Sequence, residues 1–357
     1  MPEALAGGAI IGILGGGQLG RMLSVAAARL GYKTHIFDPA PAPPAGDVAL
    51  RVTTAGYEDV VALRAFASDC DVVTYEFENI PTAALDVIEA ICPIRPGREA
   101  LRVSQDRLTE KTFLRDLGLA VAPFVDVSDA AALSDAIDEI KTPAILKTRR
   151  FGYDGKGQAR IASPADAPAA IAAMAGAPAV LEGFVAFERE VSVIAARALD
   201  GRVAAFDPGE NVHAEGILRT TTVPARLSTA QRSDAVLIAG KILNALDYVG
   251  VLGVELFVTP DGLVVNEIAP RVHNSGHWTQ DGCAVDQFEQ HIRAITGWPL
   301  GDGTRYADVV MQNLIGDDLD QVPTLAGEAR VAVHLYGKAE VKPGRKMGHV
   351  NRIVSIE

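Results

Sequence analysis

Cysteine is scarce in this chain. Cys70, Cys92 and Cys283 stand far apart, with no CxxC pair among them, which excludes a disulfide framework and a thiolate zinc site. Long apolar runs are missing too. The stretch 9–14 near the N-terminus is too short to span a bilayer, and no basic residue precedes it as a signal peptide requires. A cytoplasmic protein without membrane contact is therefore expected. Positive charge is in deficit: 33 Lys and Arg stand against 45 Asp and Glu, a formal charge of -12. That field repels a nucleic-acid backbone, so no nucleic-acid partner is expected, and an anionic substrate needs locally placed cations. Repeats are absent, and the Ala- and Pro-rich stretches 40–46 and 164–178 are too short to be free linkers.

What remains is ordinary globular material, 48% hydrophobic and 22% charged, in a chain long enough for two or three domains. The apolar run 9–14 is followed by Gly15-Gly16-Gly17-Gln18-Leu19-Gly20 and then by apolar positions Met22, Leu23, Ala26, Ala27 and Leu30 at helical spacing, which predicts strand, glycine turn and helix. Gly31 ends the helix, 33–37 reads as a second strand, and Asp38 lies about 20 residues beyond the glycines, as in a dinucleotide fingerprint. The same turn serves any phosphate ester, or close helix packing alone. A strand at 48–52 and a helix from Asp59 are expected next. Residues 72–75 form a buried strand ending in Glu76-Phe77-Glu78-Asn79, where Glu76 and Asn79 either share a crevice with Gln18 or cap the following helix.

In the middle of the chain, a helix over 106–117 carries Arg107 and Lys111. The strand 144–147 then leads into Lys147-Thr148-Arg149-Arg150-Phe151-Gly152-Tyr153-Asp154-Gly155-Lys156-Gly157-Gln158. Because 159–161 is strand-like, this loop closes a hairpin and disfavours a Walker-type P-loop. A glycine-rich hairpin with a lysine at its base suits covering and neutralising a nucleoside triphosphate; an exposed basic hairpin is the plain alternative. Glu182-Gly183-Phe184-Val185, followed by Glu190 in a strand pattern ending at Arg197, suits an adenine edge and ribose hydroxyls.

Runs 251–258 and 263–268 are joined by Thr259-Pro260-Asp261-Gly262, read as a three-residue hairpin loop that sets Thr259 against Leu263 and, counting back, Glu255 against Glu267. Two carboxylates so opposed repel unless a proton or cation joins them, and all-oxygen ligation suits magnesium. The following loop, Ala269-Pro270-Arg271-Val272-His273-Asn274-Ser275-Gly276-His277-Trp278, is dense in hydrogen-bonding side chains, and Arg271 and His273 suit a small oxyanion. Near the end, Lys338, Lys342, Arg345 and Lys346 make a basic turn, either solvated or a phosphate clamp.

Taken in order, GGGQLGRML, EFENIP, DRLTEK, FGYDGKGQ, HAEGILRT, GVELFVT, NEIAPRVHNSGHWTQ and KPGRKMGH resemble the 5-(carboxyamino)imidazole ribonucleotide synthetase family of ATP-grasp ligases, over about residues 10 to 350. The resemblance implies an α/β ATP-grasp fold: an N-terminal doubly wound, Rossmann-like domain (1–104), a small α+β lid with the glycine loop (105–190) and a C-terminal α+β domain with the metal hairpin (191–357). It implies ATP and magnesium as cofactors and an ATP-dependent carboxylation of 5-aminoimidazole ribonucleotide by bicarbonate, through carboxyphosphate. On matching positions, Arg107, Lys147, the loop Gly152, Tyr153, Asp154, Gly155, Lys156, Gly157 and Gln158, Glu182, Gly183, Phe184, Val185, Glu190, His213, Asn266 and Glu267 fall to the nucleotide, and Glu255 and Glu267 to magnesium. Arg271 and His273 fall to bicarbonate, with Lys147 as the third catalytic position. Gln18, Glu76, Tyr153, Asp154, Asn274, Lys338, Arg345 and Lys346 fall to the ribonucleotide, its phosphate near the glycine turn and basic tail. A homodimer is likewise implied.

One departure stands out from wider ATP-grasp practice, where Glu-x-Asn is common at the metal hairpin: here Ala269 follows Glu267 by two, and no amide ligand is supplied. The rival readings are a formate-using or biotin-carboxylating ATP-grasp ligase, separated by the RVHNSGHW and KPGRK strings, and an NAD-dependent dehydrogenase, which leaves the carboxylate hairpin unexplained. A nucleotide-binding regulator on a decayed scaffold requires lost carboxylates or lysine, and all are present.

Overall fold

The computed structural model describes residues 4–152 and 156–356, so Tyr153, Asp154 and Gly155, expected in the glycine loop, lie outside the described residues. The described residues form three sheets. The first is parallel, with β1 (Ile10–Leu14), β2 (Lys33–Asp38), β3 (Arg51–Thr54) and β4 (Val72–Tyr75) in the order β3-β2-β1-β4. Its order reverses between β1 and β4, the switch point at which the crevice of an open parallel sheet forms. Alternation along β1 sends Ile11 and Ile13 to the core beneath α1 (Gln18–Arg29), while Leu14 joins the core formed by α2 (Val60–Ser68) and α3 (Thr82–Glu89), so both faces are covered. The expected strand at 48–52 is displaced. Pro43 and Pro44 start a 3-10 turn over Pro44–Val48, which the fixed proline φ favours, and β3 begins only at Arg51.

Helix α4 (Arg98–Ser104) leads to α5 (Arg107–Asp116), whose N-cap Asp106 accepts from the backbone N–H of Leu108 and Thr109. The second sheet is antiparallel, with β5 (Phe124–Val127), β6 (Ala144–Thr148), β7 (Gln158–Ile161) and β8 (Ala179–Gly183) in the order β5-β8-β6-β7. β6 and β7 pair from Lys147 against Gln158, so the glycine loop does close a hairpin.

The third sheet has nine strands: β9 (Arg189–Arg197), β10 (Val203–Ala205), β11 (Gly209–Ala214), β12 (Ile217–Val223), β13 (Gly250–Thr259), β14 (Gly262–Ala269), β15 (Ala307–Ile315), β16 (Val331–Leu335) and β17 (Lys346–Ile356). It runs β14-β13-β9-β11-β12-β15-β17-β16, with β10 on β9, and every pairing is antiparallel. Valines and leucines of β9 and β13 bury one face against α5 and the long helix Thr229–Ala245. The charged side chains of the hairpin β13–β14 are thereby set on a rigid, mostly covered support.

Candidate active site

At the crevice of the parallel sheet, the glycine turn is filled by the protein itself. Gly16 N–H donates to Asp38 Oδ2 at 2.6 Å, Gly20 N–H donates to Glu76 Oε2 at 2.7 Å, and Gly17 N–H donates to the other oxygen of Glu76. A helix N-terminus attracts an anion, and here the anion is Glu76. Burial raises the pKa of Glu76, and the two amides work against that rise. The turn glycines are needed for this approach: a Cβ on Gly17 would lie 2.5 Å from Glu76 Oε1. Asp38 and Glu76 thus take three amides of the turn, those of Gly16, Gly17 and Gly20, where the sequence suggested a phosphate. Gln18, the first residue of α1, and the half-buried Glu76 still border the crevice.

The carboxylate pair is where counting puts it, but by another route. β13 and β14 pair from Thr259 against Gly262, a tighter turn than expected, which on its own would set Glu255 against Asn266. A register shift restores Glu255 opposite Glu267. The extra residue is Asn266, a β-bulge that re-aims the residue after it. Burial first, and Glu267 second, push Glu255 up to about 7. Burial is also the largest influence on Glu267, yet Arg107, 2.9 Å away, and Lys147 outweigh it and hold Glu267 down at about 2.

Around the pair lies a lattice of buried charge. Lys147 Nζ is 2.9 Å from Glu182 Oε2, which also takes Lys111 Nζ at 3.1 Å. Both lysines meet the same oxygen of Glu182, and its other oxygen, Oε1, is buried without a hydrogen-bond partner. Gly152 comes to the same place: a Cβ on it would lie 3.6 Å from Arg107 Nη2. Gly157 closes the loop in the left-handed region (φ 70°), its carbonyl accepting from Thr148 N–H at 2.8 Å before Gln158 opens β7. Lys156 is exposed on this loop. Gly183 ends β8, and the connection through Phe184 and Val185 to β9 carries the chain from the second sheet to the third. Glu190 pairs with His213 at 2.9 Å; burial opposes charge on the ring, and Glu190 overcomes it and raises the pKa.

The loop after β14 brings in Arg271 and His273. The guanidinium of Arg271 grips Glu78 in a two-pronged contact, 2.7 and 3.2 Å, across 193 residues of sequence. His273 Nδ1 accepts from Ser275, whose hydroxyl lies at 2.8 Å, so its proton sits on Nε2, 3.3 Å from Glu255 Oε1. Burial, then Arg271 and Lys346, depress its pKa to about 3, so the ring is a neutral donor. The Gln287 side chain clamps the His273 backbone at both N–H (2.9 Å) and C=O (2.8 Å). Asn274 exchanges two hydrogen bonds with the Asn313 amide, at 2.7 and 3.0 Å, which fastens the loop. In the basic turn, Lys338 Nζ donates to Lys346 O at 2.7 Å and Arg345 donates to Glu340 O at 3.0 Å. Lys346, at the start of β17, is near enough to depress His273.

Among the described residues no group of three or more His, Cys, Asp and Glu is placed to hold a metal ion. A cation between Glu255 and Glu267 therefore needs further oxygens from a ligand or water, which is how magnesium is commonly held beside phosphates. Two half-buried, mutually repelling carboxylates with no soft donor fit that ion. Sequence reading missed Glu78, Glu110, Ser275 and Gln287, each of which acts through a partner far away in the chain or through a side-chain contact with no periodic signature.

The ribonucleotide synthetase preATP-grasp domain family matches residues 9–105, the ATP-grasp domain family 112–288, and the phosphoribosylaminoimidazole carboxylase C-terminal domain family 309–355. The N5-carboxyaminoimidazole ribonucleotide synthase of Brucella melitensis is 55% identical over 349 residues, 97% of this chain and 96% of that one. A crystal structure of the ADP complex of an N5-carboxyaminoimidazole ribonucleotide synthetase superposes with a TM-score of 0.95 at 43% identity, covering 99% of this chain and 94% of that one. The Aspergillus clavatus enzyme, solved with ADP and 5-aminoimidazole ribonucleotide, gives 0.92 at 33% identity, with 98% and 94% covered. The chain belongs to the N5-carboxyaminoimidazole ribonucleotide synthase family of ATP-grasp ligases.

Proposed function

We propose that this protein carboxylates 5-aminoimidazole ribonucleotide with bicarbonate, converting ATP to ADP and phosphate. A bicarbonate oxygen attacks the γ-phosphorus of ATP and expels ADP, giving carboxyphosphate. The amine of the ribonucleotide then attacks the carboxyl carbon, and the C–O bond to phosphate breaks as the amine proton is lost. The observation that carries this reading is the adjacency of the Glu255–Glu267 pair to His273, which joins a nucleotide-phosphate site to an oxyanion site.

Lys147 and Arg107 bring fixed positive charge to the transferring phosphoryl group, where stabilisation of this kind has its largest effect. Magnesium, held by Glu255 and Glu267, would neutralise the nucleotide phosphates when bound. Asn266, Glu190, His213 and the 182–185 connection face the rest of the nucleotide, and the loop from Gly152 to Gln158, with Tyr153, Asp154 and Gly155, would cover it. Arg271, fixed by Glu78, supplies charge for bicarbonate, and neutral His273 adds one hydrogen bond from Nε2. Since the glycine turn is filled by Glu76, the ribonucleotide phosphate goes to Lys338, Arg345 and Lys346, while Glu76 and Gln18 face the sugar. We assign domain limits at 1–104, 105–190 and 191–357, a cytoplasmic location and a homodimer to this reading; light scattering of the purified protein should give twice the chain mass.

The test is ADP release with magnesium and bicarbonate, with 5-aminoimidazole ribonucleotide, with glycinamide ribonucleotide plus formate, or with no acceptor. Stimulation by the first alone is expected. Stimulation by the second, or by neither, overturns the assignment of substrate.

A further inference from the structure

The bulge at Asn266 decides which side chain meets Glu255, and it is not held by the hairpin alone. β14 is the edge strand of its sheet, so its outward backbone groups have no neighbouring strand. Three of them, spanning the bulge, are nonetheless bonded. Val265 N–H donates to Ala120 O at 2.8 Å, Asn266 O accepts from Lys111 Nζ at 3.3 Å, and Ile268 N–H donates to Glu110 Oε1 at 2.6 Å. The last two partners are adjacent residues of α5, and the same helix sends Arg107 to Glu267 at 2.9 Å. One helix thus grips three consecutive residues of the bulged strand.

Glu110 and Lys111 are 3% and 1% exposed, and neither has a surface from which to touch a ligand. Burying two ionisable groups is costly, enough to push the Glu110 carboxyl up to about 8, and where cohesion alone is needed apolar residues of similar volume serve as well or better. What apolar residues cannot do is bond an edge strand's unpaired N–H and C=O, or set the register of those groups. A one-residue slip turns every following side chain to the other face of a strand. Without the bulge Asn266 would stand opposite Glu255 and Glu267 would face away. We propose that Glu110 and Lys111 are positioning residues that lock the β14 bulge, and through it the alignment of Glu267 with Glu255. Lys111 also bonds Glu182, which holds Lys147, so the same pair ties the alignment of the carboxylates to that of the lysine.

This inference rests on the reading of Glu255 and Glu267 as magnesium ligands, and the experiment separates the two. Glu110→Leu removes the acceptor, Glu110→Gln keeps an acceptor oxygen in a neutral side chain of the same shape, and Lys111→Met removes the donor. Hydrogen exchange of the Ile268 amide in the nucleotide- and metal-free protein, and ADP affinity with and without magnesium, are measured for each alongside turnover. In Glu110→Leu and Lys111→Met, faster exchange at Ile268 is expected, with about a 10-fold loss of magnesium-dependent ADP affinity and magnesium-free affinity within about twofold of the parent. Glu110→Gln should recover most of both. Equal loss of ADP affinity with and without magnesium, or unchanged values in both variants, overturns the proposal; if Glu110→Leu does not fold, Lys111→Met decides. Wild-type magnesium dependence in Glu267→Gln would instead remove the metal reading and leave the exchange result to report on the bulge.

Discussion

Two regions of this molecule gather carboxylates against a backbone feature, and they end in opposite states. At the glycine turn, Asp38 and Glu76 receive three amides. At the hairpin, Glu255 and Glu267 face each other, and the cations around them leave Glu255 raised to about 7 by burial and by its neighbour. The first region has the better-known motif and is closed; the second has only a spacing and is open to a ligand. A site is marked by charge that the fold leaves uncompensated, more than by the motif that introduces it.

The contrast breaks most visibly at Glu267. Glu267→Gln keeps the shape and removes the charge, and turnover should fall about 10²–10³-fold, measured as ADP release at saturating magnesium; a fall under threefold would place the metal elsewhere. Glu78→Gln should weaken the grip on Arg271 and reduce turnover by about 10-fold, with a larger effect at low bicarbonate than at low ATP. At the glycine turn the expected effect is on stability instead. Gly17→Ala drives a methyl into Glu76 and should cost about 1–3 kcal/mol in denaturant unfolding, with magnesium dependence unchanged.

The smallest effect separates the two regions by pH. Glu255 carries a folded value of about 7, above the ordinary glutamate value of about 4.3, so the fold favours its protonated form. That contribution is complete below the ordinary value and is lost as pH rises through 7. The unfolding midpoint of the ligand-free protein should therefore drift down between about pH 5 and 8, and Glu255→Gln should flatten that drift. His273 runs the other way. Its value of about 3 lies below the ordinary imidazole value, so its contribution is present above the ordinary value and lost only as the medium turns acid.

Much of this was legible in the chain. Strand, glycine turn and helix at 10–29, the hairpin around the glycine loop and the Glu255–Glu267 opposition all follow from periodicity and turn chemistry. The opposition survived two errors that cancelled, a turn one residue too long and an unforeseen bulge at Asn266. The bulge was hidden because its cause lies in α5, some 155 residues earlier. Asp38 was misleading for a related reason. An acidic residue at that spacing faces the glycine turn in any fold of this kind, and spacing alone does not say whether it bonds a ribose or the turn itself. Glu78 was passed over beside Glu76 because its partner, Arg271, is 193 residues away.

The most direct test of the account follows an atom. With oxygen-18-labelled bicarbonate, ATP and 5-aminoimidazole ribonucleotide, attack of bicarbonate on the γ-phosphorus leaves one labelled oxygen on the released phosphate. Phosphate carrying that single label is the predicted result. Unlabelled phosphate from an otherwise complete carboxylation would contradict the proposed route and the roles assigned to Arg271 and His273.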